Sequence, residues 1–359
     1  MTKKCSSRLT FFAFVVLMVG LGSNDSLRGI FSTIFQEHFS LTTTQLGLIV
    51  TASYIGNLVF LLVGGNLSTR FSKKRVLQVL ILIWMAALAL FAFTSNYTVL
   101  LIGMALALGS STLLNTTMNL ITPLLFATAP GFFVNFLFFT QEIGTSGSQY
   151  ILGSHADGFA FWQHTNLVLL ILGAVAFVLL LFCNVPEEAA ASADAPAQKG
   201  GYDWRIIVPY VLVFGFYFIA EHGVMNWMVA YGVDGLGLPQ ASAAKYLSVF
   251  FGGMMIGRLC LSPLVDKLGA LKSLAAFGGV SCVLYLIGSL GGAVTMPVWA
   301  ISGLSFSILY PTLVMSIRLY FPAQQVSGAA GTILSIASLA DILFNVGFGK
   351  LVDMAGYAV

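Results

Sequence analysis

The sequence predicts an all-α membrane protein made of two repeats of transmembrane helices, six spans in the first and five in the second. Three observations carry this expectation. Of 359 residues, 58% are hydrophobic and only 8% charged, against about 25% charged in an ordinary soluble domain; the mean hydropathy is +0.93. The apolar residues fall into runs of about 20, the length that crosses ~30 Å of hydrocarbon. Unusual polar positions also recur at a nearly constant offset, as a duplicated unit would place them.

The runs lie near 9–32, 44–67, 76–95, 97–120, 132–153 and 166–184, then near 205–230, 241–264, 272–290, 294–317 and 326–349. Between the sets stands PEEAAASADAPAQKGGYDW (186–204). Its Ala, Pro and Gly content reads as a solvated linker. The expected organisation is a first half over 1–185, the linker over 186–204 and a second half over 205–359, in which a twelfth span is missing. Lys3, Lys4 and Arg8 precede the first run. No small-residue cleavage site follows and polar residues interrupt the run, so it reads as a retained span and not a signal peptide.

Loop charges predict the orientation. Lys3, Lys4, Arg8, Arg70, Lys73, Lys74, Arg75, Lys199, Arg205, Lys267, Lys272 and Arg318 fall on the side of the N-terminus, and Lys245 and Lys350 on the other. Twelve against two places the N-terminus, the linker and the basic loops in the cytoplasm, in a multi-pass protein of the cell membrane. A net charge of +3 is too small to imply nucleic acid. Cys5, Cys183, Cys260 and Cys282 are scattered, with no C-x-x-C pair, and read as small apolar residues or a loop thiol.

The repeat rests on three offsets. LSTRFSKK (67–74) can be laid over LVDKLGAL (264–271), Thr69 opposite Asp266, at 266 − 69 = 197. Asp25 and Glu221 differ by 221 − 25 = 196, and Glu142 and Asp341 by 341 − 142 = 199. Parallel repeats with a site near the midplane where they meet are a transporter plan.

An ionisable side chain at mid-bilayer costs roughly 2.5–3.5 kcal/mol on insertion scales, so it normally faces protein or a water-filled cavity. Asp25, Arg28, Glu142, Glu221, Arg258 and Asp341 qualify, and His222 adjoins Glu221. Asp25 and Arg28, at i and i+3, share a helix face. Either they neutralise each other inside a packed bundle, or Asp25 lines a cavity with Arg28 beside it. The surrounding GSNDSLRG (22–29) offers the small and hydrogen-bonding residues that suit close helix approach and a hydroxylated solute. Glu142 lies among Gln141, Thr145, Ser146, Ser148 and Gln149, a water-facing wall by composition. Around Glu221, Met225 falls on the same face, while His222 and Asn226 share the neighbouring one. Asp341 has Asn345 one turn away, and its structural and functional readings weigh equally. Arg258 reads as snorkelling or bracing a gate. Asn115 and Asn119 stack at i and i+4, where they can read a polyol or tie helices together. Trp227 and Tyr310 could stack on the apolar face of a sugar ring.

Other classes lack their parts. There is no P-loop for ATP, no H-E-x-x-H or G-x-S-x-G motif, and His38, His155, His164 and His222 are far apart. No enzyme, cofactor or metal is expected.

GGNLSTRFSKKRVL (64–77) resembles the signature loop of the major facilitator superfamily, Gly-x-Leu-Ala-Asp-Arg-x-Gly-Arg-Lys. Gly65, Leu67, Arg70 and Lys74 match, while Thr69 replaces the Asp and Ser72 the second Gly. LVDKLGALK (264–272) keeps Asp266, Lys267 and Gly269. Over nearly its whole length the chain further resembles the fucose–galactose–proton symporter family. Asn24 and Asp25 stand at its Asn-Asp pair, LNTTMNL (114–120) at its fourth-span stretch, FYFIAEHG (216–223) at its span-seven stretch, and IGRL (256–259) and LYPTL (309–313) at those of spans eight and ten. Asn119 matches the family's Asn, but Asn115 occupies the place of its Glu.

The resemblance implies a proton handled at Asp25, with Glu142 or Glu221 substituting for the lost acid, and sugar hydroxyls read by Asn and Gln side chains. The expected proton-coupling residues are therefore Asp25, Glu142 and Glu221. The expected substrate contacts are Asn24, Arg28, Asn115, Asn119, Gln141, His222, Asn226 and Trp227, and the expected gating residues Arg70, Arg258, Asp266 and Asp341. The expected function is secondary transport of a small hydroxylated solute, a monosaccharide, with proton symport, by a monomer whose partners are the solute, the proton and the lipid bilayer. The alternatives are a uniporter, a carrier or exporter of an organic anion or amphipathic solute with Arg28 as ligand, and a non-transporting sugar sensor.

Overall fold

The computed structural model describes residues 2–126, 130–186, 203–321 and 323–357; most of the linker, 187–202, lies outside the described residues. Long helices run over Thr2–Ile30 (α1), Thr43–Arg70 (α3), Lys73–Phe93 (α4), Tyr97–Leu125 (α5), Pro130–Ile151 (α6) and Phe159–Phe182 (α7), with a short α2 at Ser32–Phe39. After the linker come Trp204–Ala230 (α8), Gln240–Cys260 (α9), Ser262–Leu268 (α10) and Ala270–Leu290 (α11). Three short pieces, Met296–Ile301 (α12), Gly303–Phe306 (α13) and Leu309–Ser316 (α14), precede Ala323–Ala355 (α15). The described residues contain no strand. Among the described residues, eight segments are long and apolar enough to cross a membrane by length and composition.

Helix boundaries follow from local chemistry. Ser72 accepts the Arg75 amide at 3.4 Å to start α4, and Asn96 the Val99 amide at 3.2 Å to start α5, satisfying amides that have no partner within the helix. α2 ends on Ser40 in the left-handed region, φ 52°. The Leu41 amide reaches back to Gln36 and that of Ser40 to Glu37, the paired bonds of a Schellman stop. The run near 294–317 differs from the single helix expected of it. Pro311 has no amide for the Ser307 carbonyl, and Ser302, Ser305 and Ser307 turn their hydroxyls back onto the carbonyls of residues 299, 302 and 304. Both effects interrupt the helical ladder, so the run is three pieces in one apolar segment.

The duplication is visible in the helix boundaries. α4 and α11 both have 21 residues and start 270 − 73 = 197 positions apart, and α3 and α9 start 240 − 43 = 197 apart. One buried cluster is built mainly from α1–α7 around Trp84, Trp162, Phe31 and Phe35; a second is built from the later helices around Phe214, Phe250, Phe306 and Trp299.

The two sets of helices meet along α1–α8, α3–α15 and α6–α9. Among the described residues, the named contacts between them gather toward the face opposite the N-terminus. A Cβ on Gly29 would lie 2.0 Å from the Met225 carbonyl oxygen, and one on Gly47 2.5 Å from that of Asn345; only glycine permits backbones this close. Gln240 donates to the Ile30 carbonyl at 2.6 Å and accepts from Thr33 at 2.9 Å. At the outermost level the Asp353 carboxylate accepts the Thr43 and Thr44 amides, both at 2.7 Å, and the Thr44 hydroxyl. It thereby caps α3 from the other half of the molecule. Removing it with Asp353→Ala is expected to cost the closed face about 1 kcal/mol. Hydrogen exchange at the Thr43 and Thr44 amides should speed up about fivefold, and unchanged exchange would show that the cap does not hold the halves together.

Candidate functional site

Most of the ionisable and amide side chains singled out from sequence converge between the two sets of helices. On the first wall, α1 brings Asp25, α5 brings Ser111, Asn115 and Asn119, and α6 brings Gln141 and Glu142. Ser111 donates to Asp25 Oδ2 at 3.2 Å. Asn119 Nδ2 donates to Asn115 Oδ1 at 2.6 Å, and Asn115 Nδ2 in turn to Gln141 Oε1 at 2.6 Å. This amide chain fixes the side-chain orientations, and Asp25, Asn115, Asn119, Gln141 and Glu142 are all partly exposed. α1 can come this close to α6 because Thr145 donates to the Gly22 carbonyl at 3.2 Å and Ser23 to that of Gly144 at 3.3 Å.

On the second wall, α8 presents Glu221 and His222, both partly exposed. His222 Nδ1 lies 2.6 Å from Asp341 Oδ2 on α15. Asn345 donates to Asp341 Oδ1 at 3.2 Å. Asp341 is thus buried inside a His222–Asp341–Asn345 network, and Asn345 also meets Gly47 of α3 at the closed face.

Several contacts join the walls. Arg258 Nη1 donates to Glu142 Oε1 at 2.7 Å, an ion pair between α9 and α6. Asn226 Nδ2 reaches the Tyr54 hydroxyl at 3.4 Å, and the Tyr54 ring stacks on His222 with centroids 5.1 Å apart, so the i, i+4 pair His222 and Asn226 shares one partner on α3. Arg28 lies over the Tyr54 ring, its guanidinium carbon 5.5 Å from the centroid.

Asp25 and Arg28 are not paired. No hydrogen bond or ion pair joins them, although their spacing allows it and their charges lie close enough to attract. Asp25 is engaged by Ser111. Arg28, only 6% exposed, reaches the Met225 sulfur at 3.9 Å, and its Nε is buried without a partner. Helix spacing puts the two on one face, but contacts with α3, α5 and α8 decide where each side chain goes.

Two expected substrate contacts are instead engaged in packing. Asn24 is 5% exposed and accepts from Trp84 Nε1 at 2.7 Å, which ties α1 to α4. Trp227 is buried, donating to Asn345 Oδ1 at 2.9 Å and packing on Phe348. The side chains of Arg70 and Asp266 lie outside the described residues. Sequence reading did not single out Tyr54, Trp84 or Ser111. The available signal was that a tyrosine or tryptophan in an apolar run carries a polar tip needing a partner once buried. No group of three or more His, Cys, Asp or Glu suited to a metal occurs among the described residues.

Comparisons with known proteins agree with this architecture. The chain is 24% identical to the L-fucose-proton symporter of Escherichia coli over 80% of its own length and 75% of that protein's. It is 24% identical to the cis,cis-muconate transport protein of Acinetobacter baylyi over 77% and 70%. It is 27% identical to the glucose/galactose transporter of Brucella abortus over 89% and 81%. The crystal structure of the transporter FucP in the outward conformation superposes with a TM-score of 0.66 at 21% identity, covering 98% of this chain and 94% of that one. That of a bacterial homologue of the lysosomal transporter Spinster, inward-facing, gives 0.75 at 13% identity over 97% and 83%. The family model of the Major Facilitator Superfamily matches residues 10–345, and the chain belongs to that superfamily: it is a membrane transporter, not an enzyme.

Proposed function

We propose that this transporter carries a small hydroxylated solute of monosaccharide size across the cytoplasmic membrane by alternating access, with proton symport, as a monomer whose N-terminus is cytoplasmic. One observation carries the reading: a partly exposed carboxyl, Asp25, held by one serine hydroxyl, stands on the same wall as the chain Asn119–Asn115–Gln141. Amides both donate and accept, as a solute rich in hydroxyls requires. A lightly held carboxyl is the group a symporter needs, because protonation changes its charge without dismantling a network. Relatives whose names specify fucose, glucose and galactose support the same solute class.

With the basic loops inside, the closed face at Asp353, Gly29 and Gly47 is the outer one. Alternating access then requires the α1–α8 and α3–α15 contacts to part at that face while the halves approach at the other.

The test is external pH in a weakly buffered suspension of de-energised vesicles containing the protein, after adding L-fucose, D-glucose or D-galactose singly. Alkalinisation with a sugar, absent from protein-free vesicles, is expected. Sugar counterflow without a pH change would remove proton symport. Neither counterflow nor a pH change with any hydroxylated solute would remove the reading altogether.

A further inference from the structure

Arg28 is the site residue whose guanidinium has no ion-paired carboxylate among the described residues, although Asp25 lies close enough to feel its charge. A guanidinium carries five N–H donors in a rigid fork. Here they meet the face of the Tyr54 ring and one thioether sulfur at 3.9 Å; Nε is buried with no partner, and among the described residues no carboxylate lies within ion-pairing distance. A buried cation in this state is costly, and such residues are normally paired. The nearest acid along the helix, Asp25, is directed to Ser111. Arg258 and His222, the other basic groups between the walls, each have a carboxylate at 2.6–2.7 Å. Arg28 also lies at the junction of the halves, against Met225 of α8, so a ligand that met it would touch both repeats and sense their separation.

We infer that the solute carries a carboxylate, which docks on Arg28, and that the transporter is selective for polyhydroxy monoacids of hexose size, hexuronates or aldonates, over neutral sugars. This rests on the solute-transport reading above and narrows its substrate. A carboxylate is the group whose two oxygens match the guanidinium fork. The rest of the wall sets the other end of the molecule. Asn115, Asn119 and Gln141 take hydroxyls in either sense. Asp25 and Glu221 can accept from hydroxyl donors, which a dicarboxylate such as muconate lacks. A neutral sugar would leave the Arg28 fork empty.

The experiment measures binding by isothermal titration and exchange by counterflow, using the full chain in lipid nanodiscs and in vesicles. The probes are D-glucuronate, D-gluconate, D-glucose, L-fucose and cis,cis-muconate. The expected result is that glucuronate or gluconate binds at least tenfold more tightly than glucose or fucose, with muconate weaker than either acid. Arg28→Gln should bring the acid-to-neutral affinity ratio near one, and Arg28→Lys, which keeps the charge but not the fork, should leave an intermediate ratio. The wild-type selectivity stands as a test even where a variant fails to fold. Neutral sugars bound and exchanged as well as the acids would overturn the inference and leave the sugar-transport reading intact. A ratio unchanged in Arg28→Gln would also overturn it. Exchange of no probe would overturn both readings together.

Discussion

Vesicles containing Asp25→Asn are expected to exchange solute between their two sides and yet be unable to concentrate it. The amide has the shape of the carboxyl, and its oxygen can still accept from Ser111, now 3.2 Å from Asp25 Oδ2, so the α1–α5 contact and the fold should survive. What is lost is the ability to gain and release a proton. With one proton per solute and the membrane potential clamped at zero, each unit of pH gradient sustains about tenfold accumulation. An imposed gradient of two units should therefore give roughly 100-fold accumulation in the wild type and none in the variant, while counterflow persists. The measurement is radiolabelled solute retained at steady state. Undiminished accumulation in Asp25→Asn would transfer the proton to Glu142 or Glu221, the other partly exposed acids between the walls.

Gly29→Leu is expected to force the opposite face open. At this position a Cβ would lie 2.0 Å from the Met225 carbonyl oxygen, a backbone atom that cannot swing aside as a side-chain tip can. Overpacking of this kind costs about 1–3 kcal/mol, a shift of roughly 5- to 150-fold between two conformations. The cost falls only on the conformation in which α1 and α8 touch. A cysteine at Thr33, whose hydroxyl is 2.9 Å from Gln240 across the junction, would report it in a background without the native cysteines. Its alkylation from that face should accelerate in Gly29→Leu and stay slow in Gly279→Leu, where an added Cβ meets nothing within 4 Å. Equal alkylation in both would show that the α1–α8 approach does not close this face.

The same contrast between one-helix and many-helix information explains what could be read from sequence. Apolar runs were legible because membrane thickness sets their length, and the doubled plan because Asp25, Glu142, Glu221 and Asp341 are rare enough for their offsets to stand out. The break in the run near 294–317 was harder to see, since Pro311 and three serines barely lower the hydropathy while removing or diverting backbone bonds. Side-chain pairing was least legible. The spacing of Asp25 and Arg28 is compatible with an ion pair, yet Ser111 and Tyr54, more than 80 and about 25 residues away in sequence, redirect them. Asn24 and Trp227 belong to polar segments and so read as ligands, whereas Trp84 and Asn345 supply partners that make them framework. Both partners sit on other helices, where periodicity along one helix carries no information.

The cap that Asp353 places on α3 also bears on how fast such a carrier can turn over. A hydrogen bond buried in hydrocarbon would have to be broken without replacement, adding several kcal/mol to the barrier at each cycle. Asp353, however, is exposed and Thr44 partly so, so when the halves part, water can reach the freed carboxylate and amides as the contact lengthens. The exchange is close to isoenergetic, about 0.5–1.5 kcal/mol per bond. The fastening is therefore specific in geometry but shallow in energy: it selects which helix ends meet without trapping the molecule there. Under the proposed alternating access, this contact would be undone once for every solute moved, and placing the clasp at the edge of the water would favour throughput.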